Sequence, residues 1–362
     1  MTPRYLTFEG RVYSLEELSA ALCKPETGFP ADLADFLREW ISPQETVTVQ
    51  TSGSTGAPKI MQAEKERMRA SARMTCSFLG LEAGETALLC MPLKYIGAKM
   101  MVVRSLEYGL DLRWADPSSH PLLGLSEAPA LLAMTPAQVV ASLETEEEAA
   151  LLRGTKHIII GGAAVDVQLG DILRGFPNGV WSTYGMTETL SHIALRRLSG
   201  PEASDWYKPF NGVSLRLSDE GALMISAPAV CAKELKTNDR AELRADGSFR
   251  ILGRLDNVIN SGGVKVQIEH VEAVLSSVLD RPFQISAVPD SRYGEAVVML
   301  VEGELPAPEE QMIADFHKVL EAYFCPKHVF SVPALPCTGS GKPDRASARK
   351  LAQTFAESIH SA

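Results

Sequence analysis

One stretch of the chain, Thr51-Ser52-Gly53-Ser54-Thr55-Gly56-Ala57-Pro58-Lys59, gathers hydroxyls, glycines and a single lysine. Those residue types suit phosphate. Glycine lets the backbone turn sharply and approach a ligand closely. Backbone N–H groups and hydroxyls can then surround phosphate oxygens while the lysine supplies a point charge. The spacing is not that of a Walker A loop, which needs Gly-Lys-Ser/Thr four residues after its first glycine. Here Pro58-Lys59-Ile60 stands in that place, which disfavours a simple P-loop hydrolase. Read alone, the stretch also fits an ordinary Ser/Gly loop.

Four further blocks follow in order. They are Ser182-Thr183-Tyr184-Gly185-Met186-Thr187-Glu188-Thr189, then Thr237-Asn238-Asp239, then Gly253-Arg254-Leu255-Asp256-Asn257-Val258-Ile259 with Gly262-Gly263, and last Pro336-Cys337-Thr338-Gly339-Ser340-Gly341-Lys342. Each has a plain structural reading. Tyr184 fits a core aromatic, Glu188 a first-turn carboxylate favoured by a helix dipole, Asp239 a turn cap and Lys342 a solvated loop lysine. Together, from about Val49 to Arg345, the blocks resemble the acyl-adenylate-forming superfamily of acyl-CoA synthetases, peptide-synthetase adenylation domains and luciferases.

The resemblance implies an enzyme: an acid–thiol ligase that uses ATP and Mg²⁺ and forms AMP and pyrophosphate. A carboxylate is a poor electrophile. Joining it to the α-phosphate of ATP makes a mixed anhydride from which coenzyme A can displace AMP. That chemistry requires a cation, donors and a metal ion aimed at phosphate oxygens. By resemblance, Ser52, Ser54, Thr55 and Lys59, with Thr51, Gly53 and Gly56, hold the β- and γ-phosphates. Gly161, Gly162, Ala163, Thr183 and Gly185 belong to the nucleotide site, and Tyr184 stacks on adenine. Thr187 bonds the α-phosphate and Glu188 helps hold Mg²⁺. Asp239 accepts from the ribose hydroxyls, and Arg254 lies near ribose or phosphate. Lys342 bridges the attacking carboxylate and the α-phosphate. Asp256 is the hinge about which a small lobe turns, presenting either Lys342 or the Gly262-Gly263 loop, the latter lining a thiol tunnel.

Two departures stand out. Thr237-Asn238-Asp239 replaces the usual Thr-Gly-Asp, and Asn tolerates the left-handed region better than most residues. After Met91-Pro92-Leu93, where many relatives carry an aromatic–histidine pair, this chain has Lys94-Tyr95 followed by Lys99. Within the superfamily, Tyr184 to His192 most resembles the o-succinylbenzoate–CoA ligases of menaquinone biosynthesis. That acid has two carboxylates. The one not activated needs a cationic or polar partner, because burying an unpaired charge is costly. Lys94, Lys99 and His192 are the candidates, and both lysines also fit surface positions. Other readings are an aryl or acyl acid ligase of different specificity, transfer to a carrier-protein phosphopantetheine, or a non-catalytic nucleotide-binding module. Only a short helix pattern, Ala346 to Ser358, follows Lys342, which favours free CoA. Retention of Glu188 and Lys342 favours an enzyme.

Composition sets outer bounds. The chain has 362 residues, 45% hydrophobic and 22% charged, with a net charge of −10. That charge argues against general affinity for nucleic acid or anionic membrane. A local basic pocket can still take a small anion. Six cysteines lie scattered without a Cys-x-x-Cys, a pattern suited to free thiols in a reducing compartment and giving no zinc site. No signal segment opens the chain and no apolar run reaches membrane-spanning length. The expected location is the cytoplasm; the oligomeric state is open.

The elements that must position these residues can be read from the pattern. Arg4 to Tyr13 predicts a hairpin, and Ser14-Leu15-Glu16-Glu17 a helix capping box. Thr46 to Gln50 is a strand feeding the phosphate loop. Lys65 to Leu79 is a helix. Ala87 to Met91, Ala130 to Met134 and His157 to Ile160 are buried strands, and Thr135-Pro136 opens a helix. Glu144 to Glu148 reads as a solvated helix face. Strands alternating with helices predict an α/β lobe with a largely parallel sheet, whose ligands sit beyond the carboxyl ends of its strands. From Val213 short strands take over: Ser214 to Leu217, Ala222 to Ser226, and a hairpin at Asp246-Gly247. Residues 1–253 are expected to form the ATP- and acyl-binding lobe, shortened before the phosphate loop relative to the superfamily. Residues 254–362 are expected to form a small mobile α+β domain with helices at Glu269 to Leu279 and Gln311 to Tyr323 and a strand at Ala296 to Glu302.

Overall fold

The computed structural model describes residues 4–23, 28–50, 60–338 and 342–360. The expected phosphate loop, residues 51–59, and residues 339–341 beside Lys342 lie outside them. Among the described residues, the largest sheet runs Lys208–Pro209, His192–Arg197, Gly179–Gly185, His157–Ile160, Leu131–Met134, Thr86–Leu89, Asp111–Trp114, Tyr5–Phe8, Arg11–Ser14. From Gly179–Gly185 through Tyr5–Phe8 the pairing is parallel. Antiparallel strands flank it on both sides. Both faces are covered: Leu89, Ala133 and Ile159 enter one core, and Leu88, Leu132, Ile158 and Ile160 the other. Burial on both faces explains why these strands read as continuous apolar runs rather than alternating ones.

Local signals were obeyed closely. Ser14 Oγ accepts from the Glu17 N–H at 3.2 Å and the Glu17 carboxylate accepts from the Ser14 N–H at 3.0 Å, closing the capping box of Leu15–Leu22. Thr135 and Gln138 form the same device ahead of Pro136–Leu143. Lys65–Leu79 is helical and ends on Gly80 at φ +62°. Thr46–Gln50 does not join the large sheet. It pairs antiparallel with Ile60–Glu64, ending on Gln50 opposite Ile60, so these two flanking residues lie side by side.

Two expectations need correction. Glu148 is not on a solvated face: it is fully buried. It is the third residue of helix Glu146–Gly154, capped by Thr145. Its carboxylate accepts from Leu122 N–H (2.9 Å), Ser142 Oγ (3.1 Å) and His120 Nδ1 (2.7 Å). A buried carboxylate is tolerable when its oxygens are satisfied in this way. The helices read as Glu269 to Leu279 and Gln311 to Tyr323 run Ile268–Leu275 and Glu309–Phe316. Beyond each, the chain tightens into i→i−3 bonds, such as Val278 N–H to Leu275 O and Val319 N–H to Phe316 O. The apolar spacing therefore persists past the α-helix itself.

A four-stranded antiparallel sheet follows: Ser214–Leu217, Ala222–Ser226, Leu235–Leu243, Phe249–Arg254. A last sheet holds Val264–Gln267, Val258–Ser261, Gly294–Glu302 and Phe283–Asp290, with His328–Val332 parallel to Gly294–Glu302. Gly294–Glu302 divides its side chains strictly: Val297, Met299 and Val301 face one cluster, Ala296, Val298 and Leu300 the other. Helices Ile268–Leu275 and Arg345–His360 contribute to those two clusters.

Candidate active site

Asp239 lies within Leu235–Leu243, directly opposite Arg254 of the neighbouring strand. Its N–H donates to Thr237 Oγ1 (3.0 Å), and that hydroxyl donates to Leu223 O (2.9 Å). Tyr184, at the carboxyl end of Gly179–Gly185, donates its hydroxyl to Asp239 Oδ2 at 2.6 Å. The Tyr184 ring is packed edge-on against Phe249, with centroids 5.1 Å apart, and against Tyr207 at 5.8 Å. Burial, reinforced by the Asp239 charge, pushes the Tyr184 hydroxyl far above its ordinary range. It therefore stays a donor to Asp239.

Arg254 joins this corner. Its Nη1 lies 3.5 Å from Asp239 Oδ1, and its Nε and Nη2 bond the two oxygens of Asp256 at 2.8 Å each. The Asp256 bond holds the Arg254 guanidinium above its ordinary value, and in return holds the Asp256 carboxyl low. Asp256 sits in a short 3₁₀ turn, Leu255–Asn257. Gly253 just before it has φ +141°, and a Cβ there would meet Gln267 Nε2 at 2.5 Å. That same amide donates to Arg254 O at 2.8 Å. Lys342 arrives from the other end of the chain. Thr338 N–H donates to Lys342 O (2.7 Å) and Lys342 N–H to Thr338 Oγ1 (3.2 Å), closing a narrow loop. Burial lowers the Lys342 ammonium, Arg254 lowers it further and Asp239 raises it. Lys342 is thus within electrostatic reach of both. Tyr184, Asp239, Arg254 and Asp256 share one corner, and Lys342, from much later in the sequence, lies in the field of Arg254 and Asp239.

The turns beside this corner demand glycine at two points. A Cβ on Gly161 would lie 2.6 Å from Thr183 Oγ1, and one on Gly185 would lie 2.3 Å from Ser191 O. Gly161, Gly162 and Ala163 follow His157–Ile160, at its carboxyl end. Thr183 Oγ1 donates to Ile160 O at 3.2 Å. Thr187 and Glu188 lie in the 3₁₀ turn Thr187–Thr189. Leu190 follows with φ +63°, a strained setting for a branched residue of the kind found at functional sites. Glu188 is exposed. Among the described residues no cluster of three or more His, Cys, Asp or Glu could hold a metal. The single exposed carboxylate of Glu188 is compatible with Mg²⁺, which is commonly held by one or two carboxylates plus substrate phosphates and water.

Other nominated residues lie in different surroundings. Gly262 packs against Tyr293 and Tyr323. Lys94 and Lys99 line a cleft of about 210 Å³ with Asp32, Asp35, Phe36, Glu39 and Leu93. Lys99 Nζ donates to Thr48 O at 2.6 Å and lies 3.8 Å from Glu39. Burial lowers its ammonium, offset in part by Glu39. His192 is buried, 3.0 Å from Thr75 Oγ1 and edge-on to Phe210. A larger open cleft of about 600 Å³, lined in part by Met74, Phe78, Lys208 and Phe210, contains none of the nominated residues.

One residue was missed. Arg104 is 1% exposed, on helix Ile96–Tyr108. It forms no ion pair among the described residues. Nη2 donates to Ser191 Oγ at 3.0 Å, Nη1 contacts Met101 Sδ, and Nε has no partner. Burial pulls its guanidinium down to about 10, so it remains charged at neutral pH. The available signal was a lone arginine in Met100-Met101-Val102-Val103-Arg104-Ser105-Leu106.

Comparison with known proteins fits this geometry. The AMP-binding enzyme family model matches residues 9–229, and the AMP-binding enzyme C-terminal domain model matches residues 284–342. A 2-succinylbenzoate–CoA ligase of Salmonella typhimurium is 29% identical over 279 residues, 72% of this chain and 59% of its own. Its counterpart in Enterococcus faecalis is 26% identical over 325 residues, 81% of this chain and 66% of its own. The chain thus spans only about three-fifths to two-thirds of these relatives' length. Among solved structures, an acyl-CoA synthetase (AMP-forming)/AMP-acid ligase II-like protein from Dyadobacter fermentans is 32% identical, with 92% of this chain and 97% of that one covered and a TM-score of 0.63. The Bacillus subtilis o-succinylbenzoate CoA synthetase, solved with its acyl-adenylate intermediate, shares the fold at 18% identity and TM-score 0.76, covering 95% and 94%. This chain belongs to the AMP-binding enzyme family.

Proposed function

We propose that this chain activates a carboxylic acid with ATP and Mg²⁺ and passes the acyl group to coenzyme A, and that the acid is o-succinylbenzoate. The observation that carries the reading is the Tyr184–Asp239–Arg254 corner. In the first step a substrate carboxylate oxygen attacks the α-phosphorus, the bond to the bridging oxygen breaks, and pyrophosphate leaves. Lys342 sits between the two anions; Asp239 takes the ribose hydroxyls and Tyr184 stacks on the base. Residues 51–59 and Thr187 would hold the phosphates, and Glu188 would help hold Mg²⁺, which would supply charge neutralisation. In the second step the CoA sulfur attacks the acyl carbonyl, and AMP leaves with the electron pair. Arg254–Asn257 divides the nucleotide-binding lobe from the C-terminal unit, with Asp256 as the hinge. The setting is the cytoplasm.

Arg104 supports the choice of acid. A buried guanidinium without a carboxylate partner is costly, and a second substrate carboxylate would supply that partner. Lys99 is already engaged by Thr48 and Glu39. His192, held well below its ordinary value by burial and then by Arg104, offers no positive charge. Pyrophosphate exchange that depends on o-succinylbenzoate, followed by CoA consumption and AMP release, is the expected result. Exchange driven equally by benzoate, or by no acid, would overturn the substrate assignment or the activity respectively.

A further inference from the structure

Helix Lys65–Leu79 carries no residue nominated by the motifs, yet a buried polar chain leads from it to Arg104. Thr75 Oγ1 lies 3.2 Å from Ser71 O and 3.0 Å from His192 Nε2. His192 Nδ1 lies 3.3 Å from Ser191 Oγ, which is 3.0 Å from Arg104 Nη2. Thr75, His192 and Arg104 are each buried. A hydroxyl has one proton to donate, and a neutral imidazole has one donor and one acceptor nitrogen. Giving the Thr75 proton to Ser71 O makes Thr75 Oγ1 the acceptor for His192 Nε2–H. His192 Nδ1 then accepts from Ser191 Oγ–H, and the serine oxygen accepts from Arg104. Every proton is placed once.

We infer that Thr75, acting through His192 and Ser191, is a positioning residue that fixes the guanidinium of Arg104 for the second carboxylate of the substrate. The inference rests on the reading of Arg104 given above. The chain leaves Arg104 Nε unpartnered, so it orients the cation without neutralising it. A carboxylate in place of Ser191 would do the reverse.

The test uses the full chain. ¹⁵N-histidine spectra of the wild type at neutral pH should show His192 as the Nε2–H tautomer; an Nδ1–H tautomer would overturn the assignment before any substitution is made. Thr75→Val keeps the shape but removes the acceptor, and should shift the tautomer. It should raise KM for o-succinylbenzoate about five- to tenfold, the size of one lost hydrogen bond. It should leave kcat and all constants for benzoate nearly unchanged, and Thr75→Ser should restore the wild-type values. Loss of both acids in parallel, or of neither, overturns the inference. Arg104→Met separates the two ideas. If it abolishes the preference for the diacid while Thr75→Val does not, only the positioning role fails. If Arg104→Met leaves the preference intact, the carboxylate reading fails and the inference with it.

Discussion

Two arginines of this molecule have opposite surroundings. Arg254 is about one-third exposed and faces two carboxylates, Asp256 and Asp239. Arg104 is buried, bonded to Ser191 and Met101, and faces no carboxylate among the described residues. Arg254 is electrostatically complete as it stands, so its surroundings favour a conformational role: holding a turn and a strand together. Arg104 is incomplete. Desolvation without a counter-ion is a cost that folding alone does not repay, so its surroundings favour a ligand role. A charge is therefore informative about binding in proportion to what it lacks, not to what it touches.

The sharpest way to break this comparison is to neutralise each arginine. Arg104→Met should lower kcat/KM for o-succinylbenzoate by about 10²–10³-fold, the equivalent of the roughly 3–5 kcal/mol lost when one partner leaves a buried pair. Benzoate should be little affected. Lys342→Ala should reduce pyrophosphate exchange on the order of 10²-fold while ATP still binds, because a cation between two anions acts mainly in the transition state. Full exchange in that variant would remove Lys342 from the first step. The next effect is in stability and has the opposite sign. Arg104→Met should raise the unfolding free energy, by up to about 4 kcal/mol, as the substrate preference is lost. A fall in Tm would mean that Arg104 is already compensated in the folded chain. Asp256→Asn should change stability by less than about 1 kcal/mol, as for other exposed ion pairs, yet alter the ratio of the two half-reactions, measured by exchange and by CoA consumption from preformed adenylate.

A further effect concerns pH. His192 and His157 are both held below their ordinary value, chiefly by burial. The unfolded chain therefore takes up protons on these groups first, beginning near pH 6.5. The stability that their neutral forms provide is complete above that pH and is lost as pH falls towards their folded values. The slope is at most about 1.4 kcal/mol per pH unit for each group. Tm should decline between pH 7.5 and 5.5, and His192→Gln should flatten part of that decline. An unchanged slope in the variant would show that His192 titrates alike in the folded and the unfolded chain.

The proposed nucleotide corner was legible in the sequence because its residues fall in contiguous blocks. Tyr184 and Arg254 stand beside glycines near strand ends, and Asp239, although it lies within the strand Leu235–Leu243, belongs to the short polar block Thr237-Asn238-Asp239. Element types were legible for the same local reason: the capping box at Ser14, the proline-led helix start at Thr135-Pro136 and the β-branched run at Thr46–Gln50 need no tertiary knowledge. Arg104 and Glu148 were not legible. Whether a charge is buried depends on what packs over it, and one sequence does not record that. Glu148 looks like its exposed neighbours Glu146 and Glu147 until Leu122, Ser142 and His120 close around it. The helix ends at Leu275 and Phe316 were blurred because 3₁₀ turns carry the same apolar spacing onward.

The turn at Gly253–Asp256 has a consequence for populations. Arg254 holds Gln267 through its carbonyl and Asp256 and Asp239 through its side chain, and these contacts lie partly in water. Such contacts stabilise one arrangement by about 1 kcal/mol rather than several. For the rotation proposed at Asp256, that makes the resting arrangement a modest majority rather than a fixed state. A ligand that prefers the alternative only tenfold, about 1.4 kcal/mol, would be enough to invert the ratio. Gly253→Ala, whose Cβ would press on Gln267, would tilt the same balance with no ligand present.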